Sequence, residues 1–177
     1  MVITEPWEHI VIDNYYDADV FKTIQTEAKR FLSKNIDRET RKQAFAFPDN
    51  ELLKQAIESN KINESYFDQL TYHRPYSEIS LFWEVNFLRG PHRYPIHDEA
   101  QRKVLSCVVY VDPIENSGTR LYDKNKKLIK EIEWKPNRAL IFAAQDDVTW
   151  HDYHCPKGSF RVTINQFLER PRDEQTA

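Results

Sequence analysis

From Ile79 the chain alternates: Ile79, Leu81, Trp83, Val85 and Phe87 are apolar, while Ser80, Glu84 and Asn86 fall between them. A period of two puts these sets on opposite faces of an extended chain, so the stretch from Glu78 predicts a half-buried strand. Shorter strand-like segments follow at 103–111, 119–122, 128–134, 138–144, 148–153 and 160–169. Turn chemistry separates them, in Arg89-Gly90-Pro91, Asn116-Ser117-Gly118, Pro136-Asn137 and Pro156-Lys157-Gly158. All three glycines lie in these turns, so none loosens a strand interior. Seven or eight short antiparallel-type strands without an intervening helix predict a sandwich or jelly roll.

Upstream the apolar spacing is helical. Val20, Ile24, Ala28 and Phe31 recur at threes and fours behind Asp17, a capping candidate, and a short strand at His9 to Ile12 precedes them. A second helix is expected behind Asn50, with Leu52, Leu53, Ala56 and Ile57, and a third behind Asn63, with Tyr66, Phe67 and Leu70. Residues 34–43 are polar and aperiodic, which predicts a loop or flap. The expected architecture is mainly β (α+β) in one domain. A strand and supporting helices occupy 1–77, the β core 78–170, and a disordered tail 171–177.

With 177 residues, the chain is long enough to bury a core of its own. Its 25 basic and 28 acidic residues give a net charge of −3, which lacks the positive footprint that nucleic-acid binding requires. The run Lys124 to Lys127 reads as a solvated turn tip. No apolar run approaches the ~18 residues of a membrane span, and Met1 to Trp7 lacks a basic flank with an apolar core behind it. The expectation is a soluble, cytoplasmic protein that engages neither membrane nor nucleic acid. Cys107 falls in an apolar strand-like run and Cys155 in a polar loop, without framework spacing, so both are expected as free thiols.

Candidate chemistry lies in the last eighty or so residues. His97 and Glu99 are two apart, and on an extended chain both side chains project to one face and can reach one ion, with Asp98 turned away. If the segment turns instead, Asp98 takes Glu99's place. His151 adds a second imidazole and Arg161 a guanidinium. Two imidazoles, one carboxylate and a cation suit an iron site that also holds a dicarboxylic acid. The bland alternatives are a surface histidine among solvated acids, Arg161 in a surface ion pair, Tyr110 as a core aromatic and Thr163 as a strand former. His154 competes with His151, and a zinc grouping of His151, His154 and Cys155 lacks the usual paired spacing. His73 and His92 are read as exposed.

In order and spacing, the stretch from Phe82 to Leu168 resembles the iron(II)- and 2-oxoglutarate-dependent dioxygenases, particularly their prolyl-hydroxylase-like branch. That family carries a His-x-Asp pair, a distal His and a basic residue about ten positions beyond it. Here these fall on His97, Glu99, His151 and Arg161, with Glu99 in place of the usual Asp. The ten-residue spacing selects His151 over His154. The Gly118 turn, Tyr94 and Tyr110 also match. The resemblance implies a double-stranded β-helix (jelly-roll) core and Fe(II) held by His97, Glu99 and His151. It also implies 2-oxoglutarate gripped by Arg161 with help from Tyr110, Thr163 and Tyr94, with ascorbate as a possible auxiliary reductant. The implied activity is hydroxylation of a peptide, prolyl or small-molecule substrate. Two rivals are a non-redox, cupin-like metal site on the same barrel and a non-catalytic binding module. Trp83, Phe82, Trp150 and Tyr94 are read either as core or as the lining of an apolar mouth.

Overall fold

In the computed structural model, residues 1–35, 42–45, 51–59 and 61–171 are described, and they form two antiparallel sheets with helices on one side. The larger sheet has the order β1-β2-β9-β6-β11-β4-β3. Its strands are β1 (Val2–Ile3), β2 (His9–Ile12), β3 (Lys42–Phe45), β4 (Ser80–Arg89), β6 (Lys103–Asp112), β9 (Ala139–Ala143) and β11 (Phe160–Glu169). The smaller sheet runs β5-β10-β7-β8, from β5 (His92–His97), β7 (Thr119–Tyr122), β8 (Leu128–Ile132) and β10 (His151–Cys155). The expected jelly-roll architecture is the one observed.

Period-two alternation explains the layering. On β6, β9 and β11, Leu105, Cys107, Val109, Ile141, Val162 and Ile164 face the helices. They pack with Ile24 and Ala28 of α1 (Ala18–Asn35) and Ala56 and Ile57 of α2 (Glu51–Glu58). Each such fully buried aliphatic side chain contributes about 1.5–3 kcal/mol relative to an exposed one. The alternate residues, Tyr110, Leu140 and Phe142, face the smaller sheet and join Leu121, Ile132 and Trp134 in a second core. Helices therefore cover one face of the large sheet, and the other looks into the space between the sheets.

Helix α1 begins after Asp17, whose carbonyl accepts from the Phe21 amide at 2.8 Å. The third predicted helix is a 3-10 helix, Glu64–Gln69, capped as expected by Asn63, whose side chain accepts from the Ser65 amide. Asn50 and residues 36–41 lie outside the described residues, as do 172–177 of the expected tail. The predicted 34–43 loop is corrected at both ends: α1 extends to Asn35 and β3 starts at Lys42. Cys155 is also corrected, since it is buried within β10, and both thiols are free. No described helix is long and apolar enough to cross a membrane.

Two turn glycines are held by space. A Cβ on Gly118 would lie 1.6 Å from the Ile132 carbonyl oxygen, and one on Gly90 would lie 1.7 Å from that of Pro156. Only glycine lets these backbones approach so closely.

Candidate active site

The two histidines meet because of strand register. His97 ends β5 and His151 begins β10, and they are directly paired Cα partners in the smaller sheet. Side chains opposite each other on one sheet face are neighbours. Their ring centres lie 4.3 Å apart. A register shift between His151 and Tyr153 loosens the pairing next to them, as bulges beside functional sites do.

Each ring is oriented by the backbone. Nδ1 of His97 lies 2.9 Å from the Pro95 carbonyl oxygen, and Nδ1 of His151 lies 2.8 Å from that of Thr149. A carbonyl can only accept, so each Nδ1 carries the proton, and a neutral ring then leaves the Nε2 lone pair free for a ligand or ion. Burial, helped by the adjacent His151, lowers the pKa of His97 to about 4, which keeps that ring neutral at physiological pH.

Glu99 lies in the loop after β5, where the chain has left the strand, and is itself buried. Its Oε1 is 3.9 Å from His151 Nε2 and accepts from the Ser106 hydroxyl at 2.8 Å, while Oε2 accepts from Lys103 Nζ at 2.7 Å. Burial alone would raise its pKa. The Lys103 ammonium, His151 and the two hydrogen bonds outweigh burial and hold it at about 2. Asp98 is turned away, its carboxylate accepting from the Asp147 amide at 3.0 Å.

Arg161 lies deeper on β11 and is 2% exposed. Its Cζ is 4.5 Å from the centre of the Tyr153 ring, 5.2 Å from Trp134 and 5.5 Å from Tyr110. Its Nη2 donates to Thr119 Oγ1 at 3.4 Å, and its Nε has no hydrogen-bond partner among the described residues. Desolvation lowers its pKa, opposed by Tyr110 and Tyr153, and no described carboxylate pairs with it. A buried guanidinium without an anion is costly and calls for one.

The remaining predicted residues take distinct places. Tyr94 stacks on Tyr153 at 4.9 Å and meets His97 edge-on at 4.7 Å. Tyr110 does not line the cavity. Its hydroxyl donates to Thr119 Oγ1 at 2.9 Å and accepts from the Thr119 amide at 3.0 Å, and its ring stacks on Trp134. Thr163 donates to Asn165 Oδ1 at 3.1 Å, and Asn165 is the residue that reaches the cavity. His154 faces away with its Nε2 on Ser117, and Asp152 is buried between Arg93 and Arg120. His73 is exposed, whereas His92 is partly buried in β5, correcting that reading.

His97, Glu99, His151, Arg161, Tyr94 and Tyr153 line one cavity of about 80 Å³. Sequence reasoning missed Thr119, Tyr153 and Lys103, which also line it. A larger cavity of about 640 Å³ lies elsewhere, but its Lys29 and Asp112 neutralise each other at 2.9 Å, and it gathers no imidazole. Chemistry, not size, selects the smaller one. As they stand, no three His, Cys, Asp or Glu side chains among the described residues form a ready metal-binding group. The donor types nevertheless fit a divalent ion. Two backbone-anchored imidazoles present free Nε2 atoms, and a carboxylate oxygen 3.9 Å from one of them can share an ion at bond lengths of about 2.1 Å.

Over 91–96% of its length, the chain is similar in structure to several prolyl hydroxylases. Against a prolyl-4-hydroxylase from Pseudomonas putida, the TM-score is 0.62 at 14% identity, covering 92% of each chain. A Trichoplax adhaerens prolyl hydroxylase, solved with a hypoxia inducible factor peptide, gives 0.69 at 13% identity, covering 91% of this chain and 83% of that one. A viral collagen prolyl hydroxylase from Paramecium Bursaria Chlorella virus-1, in its 2OG complex, gives 0.63 at 12% identity, covering 96% and 99%. No protein-family profile matches the chain, and no curated protein matches it in sequence. At this identity the likeness is one of fold: the jelly roll of the prolyl hydroxylases.

Proposed function

We propose that the protein is an Fe(II)- and 2-oxoglutarate-dependent hydroxylase whose metal is held by His97, Glu99 and His151. The observation that carries this reading is Arg161, a buried cation without a carboxylate partner in the same cavity as two histidines with free Nε2 atoms. A guanidinium binds a carboxylate through two parallel charge-assisted hydrogen bonds. A dicarboxylate can therefore place one end on Arg161 and the other toward the histidines. Thr119, whose Oγ1 already accepts from Tyr110 and Arg161, keeps a hydroxyl proton to donate to that carboxylate. Tyr153 and Trp134 shield the guanidinium from water, which strengthens its hold. When bound, Fe(II) supplies the redox chemistry that couples oxidative decarboxylation of the 2-oxo acid to hydroxylation. Tyr94 packs against the His97 ring and keeps its Nε2 aimed inward. The substrate is a peptide, such as a prolyl segment, or a small molecule. Peptide binding by the Trichoplax neighbour supports the first.

One observation favours a second reading. Lys103 already neutralises Glu99, which suits a module that binds a dicarboxylate without metal. Incubation with Fe(II), ascorbate, 2-oxoglutarate and pools of peptides and metabolites, with succinate followed by mass spectrometry, separates the two. The hydroxylase reading expects succinate from the wild type and none from His97→Ala. Diacid binding that is indifferent to metal, with no succinate from any pool, supports the binding module.

A further inference from the structure

Glu99 is one methylene longer than the aspartate usual in this arrangement, so its carboxylate has an extra rotatable bond to fix. Ordering it costs side-chain entropy unless neighbours hold it. The structure provides two sets of holds, one on the backbone and one on the carboxylate.

The backbone hold is Arg74, which is 2% exposed and lies in the segment between the 3-10 helix and β4. Its guanidinium donates to the carbonyls of Glu99 at 3.1 Å, Ala100 at 2.7 Å and Lys103 at 2.8 Å, and also pairs with Asp146. One side chain thus fastens the whole turn from Glu99 to the start of β6. The carboxylate hold is Lys103 on Oε2 and Ser106 on Oε1, at 2.7 and 2.8 Å. Lys103 is itself fixed, with Nζ 3.5 Å from the centre of the Phe167 ring, and Ser106 is fully buried. Together they turn Oε2 away and leave Oε1 as the oxygen nearest His151.

We propose that Arg74, Lys103 and Ser106 form a cradle that positions Glu99 as a metal ligand. This inference rests on the reading of His97, Glu99 and His151 as a metal-binding set. Lys103 has two opposed effects on a divalent ion: its charge repels the ion, and its hydrogen bond orients the ligand. In the cradle, orientation outweighs repulsion, because the ammonium lies on Oε2 while Oε1 is left facing His151. Partners that orient metal ligands change affinity about 10- to 100-fold.

Calorimetric titration with Ni(II), an ion suited to imidazole ligands, tests this on the full chain. Lys103→Met keeps an apolar stem over Phe167 and carries the test, in the wild type and in Glu99→Ala. The cradle predicts that Lys103→Met weakens Ni(II) binding about tenfold or more when Glu99 is present. It predicts less than about a twofold change when Glu99 is absent, since the residue acts only through that carboxylate. A merely structural role would lower affinity equally in both backgrounds and overturn the proposal. Unchanged or tighter binding by Lys103→Met would overturn it as well. If wild-type binding is insensitive to His97→Ala, the metal-site reading falls and takes the cradle with it. If binding depends on His97 but not on Lys103, the cradle alone falls.

Discussion

The guanidinium carbon of Arg161 sits 4.5 Å from the centre of the Tyr153 ring, in a buried position where no described carboxylate answers its charge. Aromatic faces recover about 2 kcal/mol for a desolvated cation, while the effective cost of burying an ion is several kcal/mol. The protein therefore carries a buried charge that destabilises it. Arg161→Met should raise the unfolding temperature of the ligand-free protein, by about 1 kcal/mol or more in stability. If the proposed diacid site is right, 2-oxoglutarate should raise the unfolding temperature of the wild type, and Arg161→Met should abolish that rise. Thermal unfolding of both proteins, with and without the diacid, checks both halves.

Thr119 joins Tyr110 to Arg161 through one oxygen. Thr119→Val keeps the shape and removes that oxygen, leaving the buried Tyr110 hydroxyl without its acceptor. The cost should be about 1–3 kcal/mol in denaturant unfolding. Diacid affinity should fall as well, because the hydroxyl proton offered to the ligand is lost.

Asp152 is fully buried behind His151 and Tyr153, where it accepts from Arg120 at 2.7 Å and pairs with Arg93 at 2.8 Å. Asp152→Ala strands Arg120, whose side chain is only 18% exposed, whereas Arg93 at 55% can return to water. The loss should be about 3 kcal/mol, the low end for breaking a buried pair. Arg93→Ala should cost much less, because its exposed side chain holds a solvent-screened pair. Chemical denaturation of the two variants ranks them.

The pH dependence of the metal-free protein has a definite sign. His97 is depressed from 6.5 to about 4 and Glu99 from 4.5 to about 2, so at each site the unfolded chain takes up protons before the folded one does. Stability is fully present above pH 6.5 and is lost as pH falls, through His97 between 6.5 and 4 and through Glu99 between 4.5 and 2. Each group contributes a slope of at most about 1.4 kcal/mol per pH unit. His9 and His154 are also lowered by burial and act in the same direction. The difference between the wild type and His97→Gln isolates the contribution of His97. The variant's unfolding free energy should fall less steeply from pH 6.5 to 4.

Much of the barrel was legible in the sequence because its strands bury one face at a time and therefore alternate. The misses have physical reasons. β5 contains Pro95 and alternates poorly, yet it is an edge strand of the smaller sheet, where a missing amide is tolerated. β3 is likewise an edge strand, without an apolar period to announce it. His97, Glu99 and His151 could be picked out as candidates from spacing and from resemblance to a family. Thr119 and Tyr153 could not, because they reach the cavity through pairing across β7 and β10, and cross-strand register is not written locally. Arg74 gave no signal at all. It is a lone basic residue in a polar stretch, buried only because three backbone carbonyls and Asp146 converge on it.

Under the proposed function, one cavity holds a metal ion at its histidines and a diacid on Arg161. Anaerobic titration of the protein with Fe(II) and then 2-oxoglutarate, followed by visible absorbance, addresses it most directly. The expected result is a charge-transfer band that requires both additions, is lost in His97→Ala, and needs much more 2-oxoglutarate in Arg161→Gln. A wild-type protein that develops no band under these conditions, or one whose band persists unchanged in both variants, would contradict it.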